Sequence, residues 1–421
     1  MPHIWHPFTQ HALADPAVPV ARAEGAYLYT QDGTRLIDAI SSWWVNTHGH
    51  CHPHIVAAVQ KQAAELDQII FAGFTHAPAE KLAEKLVAIT PPALSRVFFS
   101  DSGSIAVEVG LKMAIGYWQH TGKPRKRVLA LEHGYHGDTF GAMALGARGG
   151  FSDLYEGFLF DVTRLPFPQG TLEALERVLA ADPAGFAAFV FEPLVLGAGG
   201  MLMYPPSLLK DMCDLCRRYG VLLIADEVMT GWGRTGTLFA CEQAGVVPDI
   251  LCLSKGLTGG FLPLAATLCT DEIYQAFYAP DRRKTFFHSS SYTANPLACA
   301  AALANLEVWE REPVQERIDN IAAMHVEHLQ AFAGRRDITN IRQTGTIAAF
   351  DIVTDTAGYF SDLAPVLYSF YLARGILLRP LGNTVYILPP YCVTKGDMHD
   401  IYNAIGESFD FIKNSSAQCA A

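Results

Sequence analysis

The sequence predicts an α/β protein in which a large domain has a mainly parallel sheet wrapped by helices and a smaller domain is α+β. Three observations predict this class. From about residue 55 to 300, apolar runs alternate with helical stretches, which is the pattern of a parallel sheet covered by helices. The apolar runs are too short for buried helices and indicate strands that are buried on both faces. From about residue 310, one helix rich in Glu, Arg and His precedes several short strands, which indicates a second, smaller unit.

The elements follow in chain order. Asp32-Gly33 marks a hairpin-type turn in the N-terminal region. A helix begins near Ser104, because Val109 and Met113 recur on one face, and another covers about 314–335. The predicted strands are Val97–Ser100, Val128–Leu131, Ala187–Phe191, Val221–Ala225, Ile250–Leu253, Ala265–Cys269, Ile347–Ile352, Ile376–Arg379 and Val385–Leu388. We expect an N-terminal segment that joins the small domain, a large domain and a C-terminal small domain, with bounds 1–50, 51–310 and 311–421.

Composition excludes several classes of function. Half of the 421 residues are hydrophobic and 17% are charged, which is ordinary for a globular protein and excludes disorder. The formal charge of −11 argues against nucleic acid or an anionic membrane surface as the main partner, and no apolar run reaches the roughly 18 residues of a membrane span. The N-terminus lacks the charged and apolar blocks of a signal peptide. The nine scattered cysteines are typical of reduced thiols, so we expect a cytoplasmic protein.

Asp226 and Lys255 are the residues that say most about function. Asp226 directly follows the run Val221–Ala225, and Lys255 lies just beyond Ile250–Leu253. Residues at the carboxyl ends of such strands face one crevice, where open α/β sheets bind ligands. Pyridoxal phosphate requires this combination, because a lysine forms the Schiff base and an acid keeps the pyridine nitrogen protonated. The pair therefore predicts pyridoxal 5′-phosphate as the cofactor.

Three further positions at strand ends are candidates for ligand contacts. The segment Ser102-Gly103-Ser104 opens a helix, whose free N–H groups and dipole suit a phosphate, although a capped helix without a ligand has the same pattern. Tyr135 follows a strand and is suited to a cofactor ring or a hydrogen bond, or to a half-buried structural position. Arg379 emerges from an apolar run and suggests a carboxylate ligand or a structural ion pair.

Two motifs suggest a metal-binding or dinucleotide-binding module instead. Gly231–Gly236 matches the dinucleotide pattern, but it trails its strand and no helical pattern follows. We favour a structured active-site loop that presents Arg234. His48–His54 contains four imidazoles and a thiol that could bind zinc. No matched second pair of ligands appears, and Gly and Pro suit a tight turn, so we expect no metal.

The adjacent indoles of Trp43 and Trp44 are unusual. Neighbouring side chains on a strand face opposite sides, so the two rings cannot both enter one core from a strand. We expect one ring to pack while the other lines a pocket or an interface.

Together these residues resemble a class III pyridoxal-phosphate aminotransferase with the type I aminotransferase fold. The spacing from Asp226 to Lys255 resembles that class, as do Gly231–Gly236 and Asn295–Ala298. Other motifs are similar to the members that aminate 8-amino-7-oxononanoate to 7,8-diaminononanoate in biotin synthesis. These motifs are Ile4–Thr9, Ser41–Trp44, Asp101–Ser104, Gly134–Thr139 and the segment from Arg379-Pro380 to Pro389-Pro390.

The resemblance implies a role for each candidate residue. Lys255 would hold the cofactor and move the proton, Asp226 would hold the ring nitrogen, and Tyr135 would lie over the cofactor and meet the substrate. Two subunits would share each site, which would make the homodimer obligatory. The phosphate would be bound by Gly103 and Ser104 of one subunit and by Ser290 and Ser291 of the other. The substrate would contact Phe8, Trp43, Trp44, Asp138, Arg234, Ser289 and Arg379, with Arg379 on its carboxylate.

The chain departs from the class at three places. The phosphate segment is Ser289-Ser290-Ser291, where the class usually has Gly, Pro or His before a hydroxyl residue. Leu196 stands where the class usually has Gln near the cofactor. Phe8 replaces the tyrosine of members that use S-adenosylmethionine, and it resembles the branch that uses lysine as amino donor. Both donors therefore stay open, and a class III transaminase for another ω-amino acid or a diamine is the alternative.

Overall fold

The computed structural model describes residues 3–419. The strands are β1 (Val20–Glu24), β2 (Tyr27–Thr30), β3 (Arg35–Asp38), β4 (Leu94–Ser100), β5 (Arg127–Leu131), β6 (Thr163–Leu165), β7 (Phe186–Phe191), β8 (Val195–Leu196), β9 (Leu202–Met203), β10 (Leu222–Asp226), β11 (Ile250–Leu253), β12 (Ala265–Thr270), β13 (Ile338–Thr344), β14 (Ile347–Ile352), β15 (Ile376–Leu377) and β16 (Thr384–Ile387).

The helices alternate with these strands over most of the chain. They are α1 (Ser41–Trp44), α2 (Pro53–Ala63), α3 (Ala77–Ile89), α4 (Gly103–His120), α5 (Phe140–Leu145), α6 (Thr171–Ala181), α7 (Pro206–Arg218), α8 (Asp271–Phe277), α9 (Pro296–Arg311), α10 (Val314–Gln330), α11 (Leu363–Leu372) and α12 (Lys395–Cys419). No helix among the described residues combines the length and apolar character needed to cross a membrane.

The central sheet has the strand order β4-β12-β11-β10-β7-β5-β6. Only β12 runs antiparallel to its neighbours, β11 and β4. The predicted α/β class and mainly parallel sheet are therefore confirmed. Because the crossovers are helical, both faces of the sheet are covered. Helix α4 packs on one face against Ile224 and Ile250, while α3, α6 and α7 contribute to the core that contains Leu223 and Leu251.

All of the predicted strands are present, with small shifts at their ends. Strand β4 begins three residues before the predicted start, at Leu94. The prediction that Arg379 ends a strand is wrong, because β15 ends at Leu377 and Pro380 has no N–H to extend a ladder. The polar helix ends at Gln330 and not near 335. The hairpin predicted at Asp32-Gly33 joins β2 to β3 in antiparallel pairing.

A second core joins the two ends of the chain. Ala26, Ile37 and Ala39 pack with C-terminal residues such as Val385 and Ile401, and β15 pairs parallel with β3. This packing agrees with the expectation that the N-terminal segment joins the small domain. The domain bounds at 50 and 310 stay a prediction.

Candidate active site

Asp226 and Lys255 lie at the ends of adjacent parallel strands. Asp226 is the last residue of β10 and lies opposite Cys252 of β11. Lys255 begins a single 3-10 turn, Lys255–Thr258, immediately after Ser254. Its φ of 45° is costly for a residue with a Cβ, and such strain is concentrated at functional sites. The two residues therefore share the carboxyl edge of the sheet, and the carboxylate charge of Asp226 acts on the Lys255 amine.

Asp226 is held by a buried histidine. Nδ1 of His136 lies 2.7 Å from Oδ2 of Asp226, and the Val228 N–H donates to Oδ1 at 3.1 Å. Burial disfavours the charged imidazole, but the hydrogen bond to Asp226 and the charges of Asp226 and Glu192 together outweigh it and raise the pKa of His136. The carboxylate is therefore fixed in orientation, as an acid that must meet a ring nitrogen requires.

The amine of Lys255 is easier to deprotonate than that of an ordinary lysine. Loss of hydration lowers the pKa of Lys255 to about 8, aided by the charge of Arg234 and opposed by the charges of Asp226 and Glu192. The amine also lies 5.0 Å from the ring of Trp44. A substantial fraction is neutral near pH 8, which a nucleophile and base requires.

Glu192 is a site residue that the sequence analysis missed. Its carboxylate accepts hydrogen bonds from the N–H groups of Tyr135 at 2.9 Å and Gly197 at 3.0 Å. Burial raises the pKa of Glu192 to about 7, with Asp226 acting in the same direction and His136 opposing. Glu192 directly follows the predicted strand Ala187–Phe191, so the strand-end rule that singled out Asp226 could have found it.

The amino end of α4 can hold an anionic group. The Ser102 hydroxyl accepts from the Ile105 N–H at 3.3 Å and caps the helix. A Cβ on Gly103 would lie 2.6 Å from Cγ1 of Val228, so a larger residue would force this turn out of place. Ser104 Oγ lies 2.7 Å from Thr139 Oγ1. Free N–H groups and the helix dipole at this end suit a phosphate.

A cavity of about 290 Å³ opens beside this crevice and is lined by Tyr135 and Asp138. Burial, followed by the charge of Asp138, raises the pKa of Tyr135. Its phenol is therefore a proton-bearing donor over the whole working range of pH. The other walls come from His133–Gly134, Gly137, Met143, Gly146–Ser152, Ala198–Gly200, Gly358–Phe360, Leu381 and Thr384.

Trp43 and Trp44 diverge, so that one ring is packed and the other is exposed, and the expectation that the exposed ring lines a pocket or an interface stays a prediction. Trp44 is buried and donates from Nε1 to the Tyr386 hydroxyl at 3.0 Å, whereas Trp43 is 45% exposed. The divergence does not arise on a strand, because Ser42 has φ 59° and ψ −101° within a distorted helical turn. Asp38 holds this turn by accepting from the Ser42 N–H at 2.7 Å.

Phe8 and Arg379 lie around the exposed face of Trp43. The Phe8 ring lies 5.7 Å from that of Trp43, and the Arg379 guanidinium lies 5.3 Å from the same indole. Arg379 donates to the Phe8 carbonyl at 3.4 Å. Within residues 3–419 no carboxylate lies within 4.0 Å of its guanidinium, so the structural ion pair considered from the sequence is not formed there. Arg379 is therefore available for the carboxylate of a ligand.

Arg234 is buried among backbone carbonyls. Its guanidinium is buried and donates to the carbonyls of Pro389 at 3.0 Å and Asn46 at 2.7 Å. It also lies 5.1 Å from the Tyr391 ring. The side chain thus ties the Gly231–Gly236 loop to two other segments, while its charge acts on the Lys255 amine. The expectation that the loop presents Arg234 to the site stays a prediction, as does the contact of Arg234 with substrate.

The serine segment lies close to the amino end of α4 of its own chain. Ser290 donates from Oγ to Oδ2 of Asp101 at 2.7 Å. Ser289 and Ser291 are exposed, and the Ser291 carbonyl accepts from Gln68 at 2.6 Å. Their predicted contacts with substrate and with a partner's phosphate stay predictions. Leu196 is fully buried in the core.

Histidines of the segment His48–His54 contact carboxylates that belong to separate segments of the chain. His50 contacts Asp38 at 2.8 Å, His52 contacts Glu312 at 3.0 Å and His54 contacts Glu307 at 2.7 Å. Across the described part of the chain no three side chains form a group that could hold a metal ion. The Gly231–Gly236 loop leads into a 3-10 turn, Ala240–Ala244, and not into the helix that a dinucleotide site requires.

These residues fit pyridoxal phosphate. Lys255 supplies an amine of lowered pKa, Asp226 supplies a carboxylate in fixed orientation, and α4 supplies an anion site. The three lie at the carboxyl edge of one sheet, which is where open α/β folds bind ligands.

Curated relatives are similar over almost the whole chain. Residues 9–409 match the family described as Aminotransferase class-III. An adenosylmethionine-8-amino-7-oxononanoate aminotransferase of Synechococcus elongatus is 49% identical and aligns over 98% of this chain and 99% of its own length. A protein of the same name from Mycobacterium leprae is 40% identical over 96% of this chain and 94% of its own.

Solved structures show the same fold. The crystal structure of an adenosylmethionine-8-amino-7-oxononanoate aminotransferase from Methanocaldococcus jannaschii superposes with a TM-score of 0.92 and 34% identity, covering 96% of this chain and 97% of that one. An amine transaminase from an uncultivated Pseudomonas species, solved in its pyridoxal-phosphate-bound form, gives a TM-score of 0.91 and 32% identity over 96% and 98%. The chain therefore belongs to the class III aminotransferases and has the α/β fold of pyridoxal-phosphate-dependent transaminases.

Proposed function

We propose that this chain converts 8-amino-7-oxononanoate to 7,8-diaminononanoate in biotin biosynthesis, with pyridoxal phosphate as cofactor and S-adenosylmethionine as amino donor. The observation that carries the proposal is the pairing of Lys255 with Asp226 beneath Trp44. The names of relatives up to 49% identical support the substrate. Arg379, with no carboxylate partner within the described chain, supports an acidic substrate.

The side chains of this site have distinct tasks. Bound pyridoxal phosphate would supply an electron sink for the charge that develops when a proton leaves the amino-bearing carbon of the substrate. Lys255 takes and returns that proton at its Nζ, which its lowered pKa permits. Asp226 holds the ring nitrogen, and His136 keeps the carboxylate in place. Trp44 covers the Lys255 amine and limits the access of water.

We further propose a cytoplasmic homodimer with shared sites, in which Gly103 and Ser104 bind phosphate from one subunit and Ser290 and Ser291 from the other. Four apolar side chains support a partner surface, since Ile70 and Phe74 are each 61% exposed, Phe287 is 71% exposed and Tyr292 is 62% exposed. Their segments adjoin, because Gln68 donates to the Ser291 carbonyl. Exposed apolar patches of this kind mark interfaces.

A lysine substitution tests the reaction. Lys255→Ala should still bind pyridoxal phosphate but should lose the visible absorbance band of the lysine-bound cofactor and all measurable transamination. Lys61→Ala, at an exposed lysine of α2 that pairs with Glu65, is the control and should keep both. Full activity of Lys255→Ala on 8-amino-7-oxononanoate would remove the assignment.

The amino donor is tested by single half-reactions. S-adenosylmethionine, lysine and putrescine are each mixed with the purified holoenzyme, and the loss of the visible band is followed. We expect S-adenosylmethionine to react fastest. A preference for lysine would fit Phe8, which lacks the hydroxyl of the S-adenosylmethionine-using members, and Phe8→Tyr should then shift the preference. A preference for putrescine would favour the alternative, a class III diamine transaminase.

A further inference from the structure

Tyr359 lies in the wall of the cavity beside the active site, on the loop between β14 and α11. Its ring contacts that of Phe151 with centroids 4.5 Å apart. Phe151 in turn lies 5.7 Å from Phe8, which contacts Trp43. The phenol is thus one end of a row of aromatic rings around the mouth of the proposed substrate pocket.

The loop that carries Tyr359 is anchored to the segment that follows Arg379. The Gly358 N–H donates to Oδ1 of Asn383 at 2.8 Å. Gly382 has φ +62°, and a Cβ there would lie 1.8 Å from the Gly358 carbonyl oxygen. The two backbones therefore touch directly, which fixes Tyr359 relative to Arg379.

Two opposite charges act on the hydroxyl of Tyr359. Burial raises its pKa, the charge of Arg379 acts to lower it, and the charge of Asp138 acts to raise it. The phenol thus remains a donor at neutral pH. No described residue accepts a hydrogen bond from it, whereas the nearby Tyr386 hydroxyl is already bonded to Trp44.

We propose that Tyr359 donates a hydrogen bond to the substrate carboxylate that pairs with Arg379, and so acts as a specificity-determining residue for the acidic substrate. The inference rests on the proposed function and deepens it. A carboxylate bound by a guanidinium still has free lone pairs, and a phenol O–H is a strong donor to them. Phe8 and Phe151, which lie between Tyr359 and Trp43 in this row, carry no hydroxyl, so Tyr359 supplies the one hydroxyl among these three rings.

The test is the variant Tyr359→Phe, which removes only the hydroxyl and keeps the ring against Phe151. We expect the KM for 8-amino-7-oxononanoate to rise roughly 10–100-fold, as for a hydrogen bond to a charged group, with little change in kcat. The KM for the methyl ester of the same substrate should be equal in wild type and variant. Tyr359→Gln, which restores a donor, should recover part of the loss.

Tyr368→Phe is the matched control, because Tyr368 also feels the charge of Arg379 but does not line the cavity. We expect no change in either KM. An unchanged KM for the acid in Tyr359→Phe, or an equal rise for acid and ester, overturns the inference. A wild-type enzyme that does not aminate the keto acid would instead overturn the proposed function.

Discussion

His136 Nδ1 lies 2.7 Å from Asp226 Oδ2, and both side chains are buried. The imidazole is the only side chain of the described residues that is hydrogen-bonded to this carboxylate. Asp226 is placed by its strand, but its orientation depends on His136. A carboxylate that is free to rotate or to take up a proton cannot hold a ring nitrogen in its charged form.

We therefore expect His136→Ala to slow transamination by roughly 10–100-fold, the range for losing a hydrogen bond to a charged group. The loss should appear in kcat, since substrate contacts are unchanged. His136→Gln keeps a donor near Asp226 and should recover part of the rate. Steady-state kinetics of both variants test this, and a wild-type kcat in His136→Ala would show that Asp226 needs no such support.

Asn305 holds the turn that carries Lys255. Its Nδ2 donates to the carbonyls of Gly256 at 3.0 Å and Leu257 at 3.1 Å. Asn305→Asp removes both donors without changing the shape of the side chain. We expect kcat to fall about tenfold or more, because each lost hydrogen bond to a buried carbonyl costs ~1–3 kcal/mol and loosens the strained backbone of Lys255.

The matched control for this prediction is Asn340→Asp, an exposed position in β13 whose amide bonds to Asp351 and not to the turn. It should leave kcat unchanged. Circular dichroism of both variants separates local loosening from loss of fold. A wild-type kcat in Asn305→Asp would contradict the prediction. It would show that other contacts hold the Lys255–Thr258 turn without the two Asn305 hydrogen bonds.

The sequence predicted the parts of this site that depend on local order. Apolar runs locate strands, and the residues that follow them must reach the carboxyl edge of the sheet. Asp226, Lys255 and Tyr135 were found in this way, and Glu192 satisfies the same rule. The large sheet was predictable for the same reason, since its strands are continuous apolar runs.

The environment of Arg234 was not predictable, because it depends on contacts between distant segments. The carbonyls that bind this guanidinium belong to Asn46 and Pro389. The position of Tyr359 was not predictable for a similar reason, since contacts between distant segments, such as that of Gly358 with Gly382, bring its loop to the cavity. No periodicity or spacing along the chain records such pairings.

Arg234→Met should act on stability more than on substrate binding. The change leaves two buried carbonyls without donors, at a cost of about 2–5 kcal/mol in the free energy of unfolding. We expect the midpoint of thermal unfolding to fall by several degrees while the KM for 8-amino-7-oxononanoate stays near the wild-type value. An unchanged midpoint with a raised KM would indicate that Arg234 contacts the substrate after all.

The lowered pKa of Lys255 predicts how cofactor uptake depends on pH. Only the neutral amine attacks a carbonyl, and the protonated form dominates below the pKa. The rate at which cofactor-free protein takes up pyridoxal phosphate should therefore rise with pH, with a midpoint near the pKa of about 8, and then level off. A lysine with the ordinary value of 10.5 would show a rate that still rises at pH 10.

Glu192→Gln tests the direction in which a neighbouring charge shifts the pKa of Lys255. The negative charge of Glu192 stabilises the ammonium form and so raises the pKa of Lys255. Since the pKa of Glu192 is about 7, this charge is present over most of the range in which Lys255 titrates. Removing it should shift the midpoint of cofactor uptake to lower pH. A shift to higher pH would mean that altered solvation around the substituted side chain, and not the lost charge, controls the amine.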